Sequence, residues 1–414
     1  MTVRIPRTLV PIALSLLLAS CAAGRTAGKA GPGMPYPPPS PPKVEEIHHL
    51  PTGLRLSIDG LMEMLSGARL VSVGETHDNL HDQRVELAVI RGLHERFPGR
   101  VAIGMEMFRA PQQAVLDRWT RGELSELDFL KASKWYDTWG YDFGAYRDIL
   151  LYARDRRIDV IALNPSKELQ EEVRAKGLDN VPEETRVKLP EIDDSDPYQR
   201  AVLEGVFGGH GASRGGKDAF ASFYRVQLLW EETMAQRIVD YLKSPRGEGK
   251  RIVTITGGWH VTYGFGLPKK VVRRMPMAYA VVLPEEISTD EEKEGRLMDV
   301  ELPDVPLLPA QFRWYVPFES LESKRVRMGI LMEEKEGRLV VRSVVEGSPA
   351  GKAGIAAGDV LVAIDGRPVM ESVDVHYILG DKRDGDTADV SFRRGGEERT
   401  LPLTFFRMPK PKAH

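Results

Sequence analysis

Five short apolar runs, rich in β-branched residues and bounded by glycine or polar positions, occur along the first three quarters of the chain. Runs of this kind predict strands that are buried on both faces, as in a parallel sheet. Between them, apolar residues return at helical spacing, for example at Val85, Val89 and Leu93. Strands that alternate with helices predict an α/β fold with a mostly parallel sheet flanked by helices. The five predicted strands are Leu70–Val73, Val101–Met105, Val160–Leu163, Ile252–Thr256 and Ala278–Leu283.

Two stretches contain more helical pattern than a crossover between parallel strands needs. They span residues 111–135 and 166–245, and residues 223–242 within the second have the apolar stripe of a long amphipathic helix. We expect these stretches to form a helical insert above one edge of the sheet.

The pattern changes near the C-terminus. An apolar run at residues 340–345 leads into Gly-Ser-Pro-Ala at 347–350, and Gly-Asp at 358–359 leads into a second apolar run. This ordered series resembles a bacterial PDZ domain of the periplasmic protease-associated kind, a small β-rich α+β fold, over residues 323–406. The resemblance implies that exposed backbone N–H groups of one loop bind the C-terminus of a peptide or protein, which pairs as an added strand. That loop consists of Met328, Gly329, Ile330 and Leu331. The alternative is a PDZ fold that only packs against its neighbour or mediates assembly.

The first residues predict export. Two arginines precede an apolar stretch, Leu9–Ala19, which is too short to span a bilayer. Residues 18–21 resemble a bacterial lipobox, which implies cleavage before Cys21 and lipidation of its thiol; the alternative is an ordinary signal peptide with an incidental cysteine. Ala22 in the next position implies sorting to the outer membrane. We therefore expect a lipid-anchored protein of the bacterial cell envelope, facing the periplasm or the cell surface.

Composition narrows the remaining choices. The segment after the signal is rich in glycine and proline, cannot bury a core and is predicted to be an extended tether. A formal net charge of −3 gives no electrostatic reason for nucleic-acid binding. No later apolar run is long enough to cross a membrane, so we expect membrane contact through the lipid anchor only. The predicted domains are a signal peptide (1–20), a tether (21–44), an α/β domain with helical insert (45–300), a linker (301–322) and a PDZ domain (323–406).

Two matching Gly-x-x-His motifs each follow a predicted strand, at residues 74–77 and 257–260. In open α/β sheets, ligands bind beyond the carboxyl ends of such strands, so we expect the two imidazoles to meet in one cleft with nearby carboxylates. Such a set suits Zn²⁺, Mn²⁺ or Fe²⁺. The alternative is that each histidine caps a loop or bonds to backbone within a packed core. The candidate metal ligands and catalytic groups are Glu75, His77, Glu106 and His260.

A cluster of six aromatic residues lies within residues 135–146. A flat apolar cofactor such as haem needs aromatic walls, and a tyrosine phenolate is one of its axial ligands. Aromatic clusters at strand–helix junctions also fill cores, so packing is the alternative. The chain contains no Walker loop, which removes one common enzyme class.

These motifs together resemble the ChaN-type haem-binding lipoproteins of the haem-binding uptake and Tiki superfamily, over residues 54–283. The resemblance implies an α/β domain that binds haem at a dimer interface through a tyrosine, in lipoproteins linked to iron acquisition. Several tyrosines compete for that role, and we select Tyr136 and Tyr141. The matching segments are Gly74–Asp78, Met105–Met107, Tyr141–Tyr146, Gln227–Ala235 and Gly257–Gly264.

Two further functions are open. Other members of the superfamily imply a metal-dependent hydrolase, like the Tiki proteases or erythromycin esterases, in which both histidines hold a divalent cation and Glu75 or Glu106 activates water. A scaffold whose function is PDZ recognition is the third hypothesis. Trp259 departs from the usual late motif, and its bulk is expected to narrow the site. The favoured hypothesis is a haem- or iron-binding lipoprotein with its pocket at the carboxyl edge of the sheet.

Overall fold

A computed structural model describes residues 41–209, 216–287, 306–321 and 324–407. The predicted signal peptide, Cys21 and nearly all of the tether lie outside these ranges. Within them, no helix combines the length and the apolar character needed to cross a membrane.

Eight strands form one mixed sheet. They are β1 (Ile47–His49), β2 (Leu54–Leu56), β3 (Leu70–Glu75), β4 (Val101–Arg109), β5 (Asp159–Asn164), β6 (Arg251–Gly257), β7 (Tyr279–Glu286) and β8 (Phe312–Val316), in the spatial order β2-β1-β8-β7-β3-β6-β4-β5. The pairings from β8 through β7, β3, β6 and β4 to β5 are parallel, whereas β1 pairs antiparallel with β8 and β2. All five predicted strands are present, and the prediction of a mostly parallel sheet is confirmed.

Helices cover both faces of this sheet. They are α1 (Ile58–Leu65), α2 (Leu80–Arg96), α3 (Gln113–Thr120), α4 (Glu126–Ser133), α5 (Trp135–Thr138), α6 (Phe143–Asp155), α7 (Lys167–Lys176), α8 (Glu183–Arg186), α9 (Pro197–Gly209), α10 (Gly216–Lys243) and α11 (Leu267–Arg274). Alternate residues of each strand point to opposite faces, so Val71 and Val73 join the core under α2 and α6 while Leu70 joins the core under α10 and α11. The extra helices α3–α6 and α7–α10 follow β4 and β5, where the sequence predicts an insert.

Strand β8 lies within residues 301–322, which the sequence analysis assigns to a linker. It pairs with β7 on one side and β1 on the other. Phe312, Trp314 and Val316 bury in the same core as Ile47, while Arg313 points to the opposite face and contacts Glu285 at 2.6 Å. The sheet of the first domain therefore continues past residue 300.

The C-terminal region forms a separate antiparallel sheet, as predicted. Its strands are β9 (Ile330–Lys335), β10 (Arg338–Val344), β11 (Val360–Ile364), β12 (Arg367–Pro368), β13 (Thr387–Arg394) and β14 (Glu397–Thr404), with helices α12 (Pro349–Ala353) and α13 (Ser372–Leu379). The spatial order is β14-β13-β11-β10-β9, with β12 on β11, so β9 is an edge strand. Helix α13 closes the core of this region and also contacts α4 of the first domain.

Candidate functional site

The two Gly-x-x-His turns leave the sheet side by side. Strands β3 and β6 are parallel neighbours, and Glu75 lies opposite Gly257 in their register. Glycine is required where the turns touch: a Cβ on Gly74 would lie 2.9 Å from Cα of Gly258, and one on Gly257 would lie 3.2 Å from Nε2 of His77. The bare backbone therefore lets both turns reach the same point at the carboxyl edge of the sheet.

His77 is held by Glu75. Its Nδ1 lies 2.6 Å from Oε1 of Glu75, which also accepts a hydrogen bond of 2.7 Å from the hydroxyl of Tyr146. The other carboxylate oxygen accepts a hydrogen bond from the amide of Gln83. Burial lowers the pKa of His77, but Glu75 and Glu106 outweigh burial and raise it. The imidazole is thus fixed in orientation by Glu75.

His260 lies between two buried carboxylates. Its Nδ1 is 3.2 Å from Oε1 of Glu231, and its Nε2 is 3.6 Å from Oε1 of Glu106. Burial opposes its protonation, but these two carboxylates raise the pKa of His260 to about 10. Burial acts in the same way against ionisation of Glu106, yet His260, His77 and the N–H of Gly257 hold the pKa of Glu106 at about 2. The pair is therefore ionic at neutral pH.

Sequence reasoning missed two members of this network. Glu231 of α10 contacts His260, and Lys270 of α11 places its Nζ 3.3 Å from Oε2 of Glu231. Lys270 also donates a hydrogen bond of 2.6 Å to Gln199. The only sequence signal for Glu231 is its place in the segment 227–235, which resembles the ChaN-type proteins. No pattern in the sequence indicates Lys270.

The structure thus brings all four predicted side chains of the Gly-x-x-His site together. Their arrangement is that of ion pairs. Among the described residues, no group of three or more His, Cys, Asp or Glu side chains is placed to hold a metal ion. Nδ1 of His77 and both ring nitrogens of His260 lie opposite carboxylate oxygens, so the carboxylates pair with the histidines instead of converging on one point. The divalent-metal alternative therefore has no support from this donor set.

Tyr141 and Trp139 stand beside His77. The imidazole lies 4.9 Å from the ring of Trp139 and 5.1 Å from that of Tyr141, measured between centroids. An open cleft of about 400 Å³ borders His77 and Tyr141. Within the described residues, the Tyr141 hydroxyl has no hydrogen-bond partner, and burial, Asp78 and Glu75 raise its pKa. The cleft thus contains an available neutral phenol next to an aromatic wall.

Tyr136 is not brought to this cleft. It borders a second cavity of about 720 Å³, between the two domains, and stacks on His376 of α13 with ring centroids 4.7 Å apart. Burial and Asp142 raise its pKa. Trp135 and Tyr146 of the same aromatic cluster are buried in the core, so packing explains that part of the cluster.

The predicted peptide-binding loop begins inside the PDZ core. Met328 is buried and its carbonyl accepts a hydrogen bond from the N–H of Ala350, while the carbonyl of Gly329 accepts one from Val345. Gly329 has φ +76°, a left-handed conformation that favours glycine. Ile330 begins β9, and the side chain of Leu331 is exposed. The loop leads directly into the edge strand, the arrangement that strand addition requires.

Comparison with known proteins agrees with this architecture. The family model for the haem-binding uptake, Tiki superfamily, ChaN proteins matches residues 61–271, just over half of the chain, and the PDZ domain model matches residues 326–404. The chain therefore belongs to the haem-binding uptake, Tiki superfamily, ChaN family and carries a C-terminal PDZ domain. The structure of ChaN of Campylobacter jejuni, with cofacial haem binding, aligns with a TM-score of 0.50 at 13% identity, covering 65% of this chain and 95% of that one. That similarity supports the fold.

Curated relatives match short segments of the chain. A probable periplasmic serine endoprotease DegP-like of Pseudomonas fulva (strain 12-X) is 34% identical over 76 residues, 18% of this chain and 16% of the relative. The corresponding protein of Rhizobium meliloti (strain 1021) is 36% identical over 87 residues, 21% of this chain and 17% of the relative. The chain spans about a sixth of the length of these relatives.

Proposed function

We propose that this protein is a haem-binding lipoprotein of the bacterial cell envelope that handles haem or acquires iron, with Tyr141 as the haem ligand. The observation that carries the proposal is the Tyr141 hydroxyl, which lies at the carboxyl edge of the sheet, in an open cleft, without a hydrogen-bond partner among the described residues. Membership of the ChaN family and the haem-bound ChaN of Campylobacter jejuni support it.

The residues of the cleft suit such a ligand. Tyr141 would hold the haem iron through its phenol oxygen. Trp139 offers an apolar face 5.6 Å from the Tyr141 ring, and Gly140 between them leaves open space where a side chain would stand. The cleft is open to solvent on one side. A second copy of the chain covering that side would complete the site, so we extend the proposal to a homodimer.

The proposed role in the cell envelope is supported by the lipobox at residues 18–21 and by the PDZ domain. Lipidation at Cys21 would tether the α/β domain to the outer membrane through residues 22–44. The edge strand β9 would add the C-terminus of a peptide or protein as a further strand, as other PDZ domains do. The proposal is therefore a haem-binding domain and a peptide-binding module on one anchor.

A haem titration tests the proposal. Full-length protein carrying Cys21→Ser, so that no lipid is attached, is titrated with haemin while the Soret band is followed. We expect saturation at stoichiometric haemin, and a loss of affinity of about tenfold or more in Tyr141→Phe because the ligating oxygen is gone. Tyr198→Phe is the control, since Tyr198 is exposed and borders neither cavity, and it should bind as the parent does. Absence of a saturable Soret change, or equal binding by Tyr141→Phe, would overturn the assignment. If the protein does not bind haem, we retain the scaffold hypothesis, in which PDZ recognition is the function.

A further inference from the structure

One wall of the Tyr141 cleft comes from outside the region that matches the family model. Residues 317–321 and 324–325, here called the strap, lead from β8 to the PDZ domain. Asn79, in the turn after His77, fastens the strap: its side chain donates to the carbonyl of Pro317 at 3.2 Å and accepts from the N–H of Glu319 at 3.0 Å. The N–H of Leu80 donates to the carbonyl of Glu319 at 2.7 Å. The strap is therefore a built part of the site.

The strap supplies a cation. Arg325 is the one lysine or arginine among the described residues that border the cleft, and Asp78 and Asp142 border it too. Its Nε lies 2.9 Å from Asp142, while other guanidinium contacts reach His376 and Tyr136. A guanidinium carries five N–H donors, so these three contacts leave donors to spare. Without Arg325, the carboxylates of Asp78 and Asp142 would outnumber the one imidazole of the lining, His77, and the cleft would repel an anionic ligand.

The PDZ domain holds this arginine in place. His376 of α13 lies 3.4 Å from the guanidinium, and burial together with Arg325 lowers the pKa of His376, which keeps a neutral ring nitrogen available as acceptor. Helix α13 is docked on α4 by Lys131, whose Nζ lies 2.8 Å from Asp374. Tyr377 on the same helix packs against the core of the α/β domain. The position of Arg325 thus depends on how the PDZ domain is docked.

We infer that Arg325 is a binding residue of the Tyr141 cleft for a carboxylate of the ligand, and that the docked PDZ helix α13 positions it. This inference rests on the proposed function, because haem carries two propionate carboxylates of the kind that guanidinium binds in a bidentate manner. It makes the PDZ domain a structural component of the ligand site. By reciprocity, a ligand that engages Arg325 strengthens the docking of the PDZ domain.

A two-by-two titration tests the role of Arg325. Full-length Cys21→Ser protein and its Arg325→Gln variant are each titrated with haemin and with haemin dimethyl ester, in which both carboxylates are capped. We expect Arg325→Gln to weaken haemin binding about tenfold or more and to leave binding of the diester within about twofold, since only the free carboxylate loses a charge-assisted bond. Arg325→Lys should retain part of the selectivity for haemin.

The possible outcomes distinguish failure of the inference about Arg325 from failure of the proposed function. An equal loss for haemin and the diester would mean that Arg325 only supports the fold, and no loss for either would mean that it does not contact the ligand; both overturn the inference while the proposed function stands. A parent protein that binds neither compound saturably overturns both.

The docking half of the inference has its own variant. Lys131→Met removes the ion pair with Asp374 without touching the cleft. We expect a loss of haemin binding that is smaller than in Arg325→Gln and that again spares the diester, so that the preference for haemin decreases. Lys167→Met, which removes an exposed pair with Glu171 on α7, is the control and should bind as the parent. If the preference for haemin over the diester is unchanged in Lys131→Met but lost in Arg325→Gln, the PDZ domain does not position Arg325.

Discussion

Replacing Glu231 by glutamine is the most informative perturbation of the buried charge network. The Glu231 side chain is 1% exposed and stands between two buried cations, with His260 at 3.2 Å and Lys270 at 3.3 Å. Glutamine keeps the volume and an oxygen that accepts from the imidazole, so the change removes charge with little loss of packing. Lys270 is then left buried without an ion-pair partner at that position, and His260 retains only Glu106.

The magnitude follows from this loss of compensation. Removing one partner of a buried ion pair costs about 3–5 kcal/mol, and the retained hydrogen bond places Glu231→Gln near the lower end, about 3 kcal/mol. Urea unfolding followed by far-ultraviolet circular dichroism measures the free energy of unfolding of the α/β domain. The matched control is Glu171→Gln, which removes an exposed pair with Lys167 and should cost less than about 1 kcal/mol.

The pH dependence of this difference sharpens the test. The folded-state pKa of His260 is about 10, above its ordinary value of 6.5. A raised histidine pKa stabilises the fold fully below pH 6.5, and that stabilisation is lost as the pH rises through about 10. Without Glu231 the pKa of His260 should fall, so the variant loses this contribution at lower pH and the gap to the parent narrows as the pH nears 10. A gap below about 1 kcal/mol at pH 7, or one that is the same at pH 7 and pH 10, would contradict the role of Glu231 as the charge partner of His260 and Lys270.

Two further predictions concern the fold that positions the site. Gly74→Ala should destabilise the α/β domain by about 2 kcal/mol, because the new Cβ would lie 2.6 Å from the Leu283 side chain and 2.9 Å from the backbone of Gly258. Chemical denaturation measures the free energy of unfolding, with Gly67→Ala as the control because its Cβ has room. Equal stability of the two variants would contradict the close approach of the turns. Trp314→Ala should lower the free energy of unfolding of the α/β domain by about 3 kcal/mol, because this β8 side chain is buried in the core of that domain. Calorimetry measures the effect, and a loss of stability confined to the unfolding transition of the PDZ domain would contradict the placement of β8.

The central sheet was predictable because its strands are continuous apolar runs, a pattern that burial on both faces enforces. The edge strands were not. Strand β1 has three residues, Ile47–His49, and β8 has five, Phe312–Val316, so neither offers enough sequence for a periodic pattern. Their pairing depends on partners far away in the chain: β8 lies between β7 and β1.

The site was predictable where the chemistry is local. The Gly-x-x-His motifs carry both the histidine and the glycine that lets the turns approach, so the sequence indicated that His77 and His260 lie close together. Glu231 and Lys270 come from two helices whose contact arises only in the tertiary fold. Which tyrosine lies beside His77 depends on a local turn that the sequence does not reveal. Lys134, at φ +51°, separates α4 from the short α5, and this turn directs Tyr136 of α5 to the PDZ domain. Tyr141 follows α5 and lies beside His77.

The position of bound iron tests most directly whether Tyr141 binds haem. Crystals of the full-length Cys21→Ser protein grown with haemin, with anomalous data collected at the iron edge, locate the metal independently of the density of the ring. We expect one iron site per chain within bonding distance of the Tyr141 hydroxyl, with a propionate facing Arg325. Iron beside Tyr136 in the cavity between the domains, or haem bound away from both tyrosines, would contradict it.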